Sequence, residues 1–255
     1  MSLFSILTVT TTFLFQYVFL LNHELDSKLF LGIIEDAHGF KPKNAPSSSS
    51  NLTTNTGDSS NNASSVQSID ELNEKGDNYY FEGKYEEAIK YYDKALEIDS
   101  KNVYALWSKG AALSDLGKYE EAITWYDKAL AVDPKDVDAL NGKGNALDNL
   151  GKSEEAITWY DKVLAIDPKD VAALNGKAFG LAELDKNKEA LLLIQKALEI
   201  APNTDYVLAT AAFIMYNLGK YDESKNYYNK ALDINPNLKD ILSESELKAF
   251  NSVMG

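Results

Sequence analysis

The sequence predicts an all-α protein built as a stack of helix hairpins, and three observations carry that expectation. The first is a repeat. GKYEEAI starts at Gly83 and again at Gly117, GKSEEAI at Gly151, DKNKEAL at Asp185 and GKYDESK at Gly219, so each start lies 34 residues after the last. That period is the length of one helix-turn-helix unit. The second is punctuation: in the unit 103–136, Gly117 closes one segment and Pro134 follows the next. Glycine accepts the left-handed backbone that ends a helix, and proline cannot continue one. The third is spacing. Leu106, Gly110 and Leu113 share one helical face, and Ala122, Tyr126 and Ala129 share another.

The elements follow in order. The first helix of the unit is expected from about Val103 to Leu116 and the second from about Tyr119 to Val132. Carried along the period, this gives five units at 69–102, 103–136, 137–170, 171–204 and 205–238. Small residues recur on the first helices (Gly76, Gly110, Gly144, Ala178) and on the second (Ala88, Ala122, Ala156, Ala190). This pattern of glycine, tyrosine, alanine and proline resembles the tetratricopeptide repeat (TPR) family. The resemblance implies a right-handed superhelical solenoid with close packing of the two helices, and with Tyr92, Tyr126, Tyr160 and Tyr228 filling the gap between units. Repeat four departs from the pattern at Asp185, Asn187 and Ile194, and repeat five at Ser224, so the superhelical pitch is expected to change there. Beyond Pro236, residues 239–255 carry Ile241, Leu242, Leu247, Phe250 and Val253 with a Ser243-x-x-Glu246 capping box. They read as a terminal helix covering the last repeat, as a solenoid end requires.

Upstream, Ser2 to Leu21 holds no charged residue, and twenty residues of helix span ~30 Å, a bilayer core. Residues 1–22 therefore read as an N-terminal hydrophobic helix, a single-pass membrane anchor. A cleaved secretory signal, which would make the protein secreted, and a buried soluble helix are the competing readings. The side of the membrane is left open: Lys28, Lys41 and Lys43 follow the segment, whereas Asn51-Leu52-Thr53 and Asn62-Ala63-Ser64 fit the glycosylation pattern of an exported loop. Residues 23–43 form a juxtamembrane segment with an apolar patch at 29–34 that is too short to span. Residues 44–68, rich in Ser, Asn and Thr, bury too little to offset their ordering entropy and read as a disordered tether.

Composition excludes several functions. Cysteine and arginine are absent, and the two histidines, His23 and His38, precede the repeats. The repeats therefore hold no histidine general base, thiolate or catalytic triad, and neither a cofactor nor a metal site is expected. Net charge is −14, and from Ile69 onward 22 lysines face 34 acids. Such a field repels phosphate backbones, which argues against nucleic acid. The paired glutamates that open the second helices, such as Glu120 and Glu121, suit a helix N-terminus better than acid–base catalysis. Lys75, Lys109, Lys143 and Lys177 form a ladder whose stems pack while their ammonium groups meet carboxylates.

The resemblance implies a non-enzymatic scaffold that holds a partner peptide or helix on the concave surface lined by the first helices. There it places Tyr80, Tyr104, Trp107, Asn141, Asn145, Asn175, Phe179, Tyr206, Phe213 and Tyr216, with Asp77, Asp115, Asp138 and Asp148 among them. Aromatics and acids without lysine suit a partner carrying apolar anchors and positive charge. The family's clamp for acidic tails is not expected, because Asn145 alone matches it. The alternative is a structural subunit that self-assembles into a homo-oligomer through its repeat surfaces.

Overall fold

A computed structural model describes residues 67–255; the apolar segment of residues 1–22, the juxtamembrane stretch 23–43 and nearly all of the tether lie outside the described residues. Ten helices alternate as A and B members of five hairpins. They are α1 (Ile69–Phe81) and α2 (Tyr85–Ile98), α3 (Val103–Asp115) and α4 (Tyr119–Val132), α5 (Val137–Asn149) and α6 (Ser153–Ile166), α7 (Val171–Glu183) and α8 (Asn187–Ile200), and α9 (Asp205–Asn217) and α10 (Tyr221–Ile234). A 3-10 turn at Leu238–Asp240 leads to α11 (Glu244–Met254). Among the described residues there is no strand, and no helix is long and apolar enough to cross a membrane.

Each A helix begins at a polar residue. The side chains of Ser68, Asn102, Asp136 and Asp170 accept hydrogen bonds from free N–H groups of the first turn of α1, α3, α5 and α7. Each hairpin turns on a residue with positive φ: Gly83, Gly117, Gly151 and Gly219 near +70°, and Asp185 at 59°. Asp185 thus makes the turn that its glycine counterparts make, because aspartate is among the residues that tolerate this conformation. The altered residue leaves that hairpin intact.

The hairpins stack through one recurring contact. Tyr126 of α4 lies between α3 and α5, with its ring against Gly110 and Gly142. A methyl at either position would come within 2.8 Å and 2.5 Å of the ring. Tyr160 is held in the same way between Gly144 and Gly176, and Tyr92 lies against Gly76. Only a helix without a side chain at that point lets a phenol ring touch backbone on both sides. Where Ile194 replaces the tyrosine, Ala178 replaces the glycine, so the smaller side chain is matched by a larger neighbour. At this joint α9 draws away from α8 and toward α7, a local change in the stacking where the sequence departs from its pattern.

Tyr228 breaks the series. Its ring meets Phe250 of α11, with centroids 5.0 Å apart, and its hydroxyl donates to the Glu246 carbonyl at 3.1 Å. The terminal helix therefore packs on both α9 and α10, wider cover than the last B helix alone. The capping box forms: the Ser243 side chain accepts from the Glu246 N–H, and the Glu246 carboxylate accepts from the Ser243 N–H at 3.1 Å.

At the other end, α1 is finished for solvent. Glu71, Glu74 and Asn78 are exposed where their counterparts one repeat later, Ala105, Ser108 and Ala112, are buried.

Three of the four ladder lysines meet carboxylates as expected, whereas Lys75 is exposed on α1, which no described B helix precedes. Lys109, Lys143 and Lys177 pair with Asp93, Asp127 and Asp161 of the preceding B helix. Lys109 and Lys143 also lie over the rings of Trp125 and Trp159, at 3.9 and 4.0 Å from their centroids.

The clamp predicts an asymmetry among helix glycines. Gly142→Ala should cost about 1–3 kcal/mol in a denaturant melt, because its methyl meets a core ring that is itself packed. Gly180→Ala, whose nearest neighbour would be the Ile157 Cγ1 at 3.2 Å rather than a ring at 2.5 Å, should cost less. Equal effects would remove the clamp.

Candidate functional site: the inner face of the A helices

Successive A helices touch along the whole stack, α1 to α3, α3 to α5, α5 to α7 and α7 to α9, while among the described residues no two B helices make a comparable contact. Helices that crowd together lie on the inside of a curve, so the A helices line the concave side. Side chains that bridge one A helix to the next mark that face.

At the first two repeats the bridges are tyrosine–aspartate bonds. The Tyr104 hydroxyl donates to Asp77 at 2.6 Å, and the Tyr92 hydroxyl donates to the other oxygen of the same carboxylate at 2.8 Å. Tyr80 donates to Asp115. Burial pushes Asp77 up and the two tyrosine bonds oppose the rise, whereas Tyr80, Tyr92 and Tyr104 are driven well above the ordinary phenol range by burial and by the carboxylates they face. All three tyrosines stay protonated donors. Trp107 is buried at 6% exposure with its ring 4.8 Å from Tyr104, so it forms the floor beneath that tyrosine.

The centre is amide and acid. The Asn141 side chain donates to Asp170, the cap of α7, at 3.3 Å, and Asn145 is exposed and accepts from Asn149 at 2.9 Å. The carbonyl oxygens of Asn141 and Asn175 are buried with no hydrogen-bond partner. Asp138 makes no hydrogen bond or ion pair among the described residues. Burial, with the neighbouring charges of Asp136 and Asp170, raises it to about 6. Asp148 accepts from the Tyr160 hydroxyl at 2.9 Å and is raised by burial to about 7, against the opposing effect of that bond. The negative charge of this face therefore depends on pH, a property that its aspartates do not reveal when read as letters.

The far end is aromatic. Phe179 and Phe213 approach to 5.9 Å between centroids, and Phe213 is buried at 5% exposure. Tyr206 is half-buried and pushed up to about 12 by burial and by Asp170 and Asp205. Tyr216 contacts Tyr221 at 5.6 Å and donates to Ser252 of the terminal helix at 3.4 Å.

The ten residues expected on this face thus divide. Trp107 and Phe213 are packed beneath it, Tyr80, Tyr104 and Tyr216 are engaged in hydrogen bonds, and Asn145 is the most open. Sequence reasoning passed over four residues that shape this face. Asp136 and Asp170 cap helices and also bear on the charge of the groove, and Gly142 and Gly176 receive the tyrosines from the repeat before. The signal for the glycines was present, since they stand 34 residues apart.

Comparison with known proteins agrees with this geometry. A tetratricopeptide repeat model matches residues 73–134 and 112–171, and the model of the Psidin N-terminal TPR repeats region matches 145–253. The chain is a tetratricopeptide repeat protein. Among solved structures it is similar to the thermophilic TPR protein TTC0263 of Thermus thermophilus, with a TM-score of 0.63, 18% identity, and 74% of this chain and 100% of the other covered. It is also similar to pilF of Pseudomonas aeruginosa, with a TM-score of 0.57, 21% identity, and 72% and 88% covered. A third, YrrB, described as a TPR protein with an unusual peptide-binding site, aligns with a TM-score of 0.50, 22% identity, and 71% and 91% covered. At these identities the likeness establishes the fold alone. No curated protein matches the sequence.

Asp77 joins two tyrosines from different helices, so Asp77→Ala should strand two hydroxyls and cost about 2–4 kcal/mol in equilibrium unfolding. Tyr104→Phe, which leaves the Tyr92 bond in place, should cost about 1 kcal/mol. A negligible change for Asp77→Ala would show that this network contributes nothing to the joint.

Proposed function

We propose that this TPR protein is a non-enzymatic scaffold whose concave face holds a segment of a partner protein carrying positive charge and apolar anchors, and that residues 2–21 tether it to a membrane. The observation that carries the partner's chemistry is the segregation of charge. Lys109, Lys143 and Lys177 of the A helices are drawn to the B helices and paired there with Asp93, Asp127 and Asp161. The inner face keeps Asp138 without a cation among the described residues, beside aromatics at both ends. A lysine or arginine of a partner supplies what Asp138 lacks, and aromatic rings accept its apolar neighbours. The likeness to YrrB supports a peptide as the kind of ligand such a stack takes.

Growth into a homo-oligomer by end-to-end stacking is disfavoured by the ends themselves, since α1 turns Glu71 and Glu74 outward and α11 closes the other end. The tether reading rests on the uncharged run Ser2 to Leu21.

The experiment is site-specific photocrosslinking in native membranes. A crosslinker at Asn145 should capture a partner that one at Glu121, on the outer B helix, does not. Asp138→Lys should weaken that capture at least several-fold. Equal capture from both positions, or indifference to Asp138→Lys, would overturn the reading; extraction of the protein by carbonate alone would overturn the tether.

A further inference from the structure

Asp148 is an acid of the inner face that sits where the third repeat meets the fourth. Its carboxylate lies at the end of α5, with one oxygen accepting from Tyr160 of α6 and the other buried without a hydrogen-bond partner. That second oxygen faces α7, where a methyl at Gly180 would lie in ordinary contact with it at 3.4 Å. The groups that face it are Tyr160 and Ser153 on α6 and Glu183 on α7; the two hydroxyls favour its charge, and Glu183 opposes it. No lysine pairs with it among the described residues. A neutral acid fits such a place, and a charged one leaves an oxygen without solvent or donor.

We propose that Asp148 makes the joint between the third and fourth repeats responsive to pH, closed while the carboxyl is protonated and loosened once it is ionised. The repeats contain no histidine, and the other raised acid of α5 is Asp138 at its opposite end, at about 6. The direction follows from linkage. In the closed joint burial holds the acid at about 7, and in an opened joint it returns toward the ordinary carboxylate value of about 4. Closure is therefore fully favoured below pH ~4 and weakens as pH rises toward 7, with no further loss above. Asp148 is one turn from Asn145, so the joint that responds lies in the middle of the inner face, whatever partner is held there.

Hydrogen exchange of the full chain in detergent tests this. After correction for intrinsic exchange, protection of amides in α5, α6 and α7 should fall roughly tenfold or more between pH 5.5 and 7.5, while α1 and α2 change little. Asp148→Asn should remove most of that fall. Tyr160→Phe, which takes away a donor that favours the charged acid, should carry the fall on to higher pH, and it keeps the test open if Asp148→Asn does not fold. An equal fall in wild type and Asp148→Asn, a fall spread evenly over all helices, or an unmoved window in Tyr160→Phe would overturn the proposal.

Discussion

An aromatic ring held between two glycine backbones sets the geometry on which the remainder of this structure depends. Tyr126 against Gly110 and Gly142, and Tyr160 against Gly144 and Gly176, fix how near each hairpin comes to the next. Because a helix backbone offers no rotamer with which to adjust, that distance is set far more tightly than aliphatic packing would set it. Repetition at an interval of 34 residues then turns one local distance into a curved stack, and the curvature brings the A helices together. The inner face is a consequence of the clamp.

That face is a surface of opposites kept apart. Lys109, Lys143 and Lys177 on the A helices are drawn to aspartates of the B helices, the first two also to tryptophans, in ion pairs each worth under ~1 kcal/mol singly but repeated along the stack. Their removal leaves carboxylates facing inward, some satisfied by tyrosines and one, Asp138, by nothing among the described residues. The hydrogen-bonded acids Asp77 and Asp115 bridge neighbouring repeats, whereas Asp138 makes no such bond among the described residues. Asp77, Asp138 and Asp148 are all raised by burial, so the charge of this face depends on protonation.

Much of this was legible in the letters. Glycine and proline punctuation placed the helices of the second repeat to within a residue, and Ser243 and Glu246 announced the last helix. Those signals are local, and local signals survive without knowledge of neighbours. What could not be read was pairwise and long-range. That Tyr104 reaches Asp77 across 27 positions, that Tyr228 turns from its series to meet α11, and that Asp148 falls inside a joint all depend on which helices touch. Trp107 and Phe213 show the same limit: the family resemblance suggested them for the inner face, and only the packing shows that both are buried. Gly142 lay between the two cases, since its partner could be named only once Tyr126 was known to face forward.

The most direct test of the clamp is a double-mutant cycle between Gly142→Ala and Tyr126→Leu, read by equilibrium denaturation. If the ring is what forbids a side chain at position 142, the cost of Gly142→Ala should vanish or reverse in the Tyr126→Leu background, a coupling of about 1 kcal/mol or more. Additive costs would contradict the account, because they would show that the glycine and the tyrosine do not act on each other.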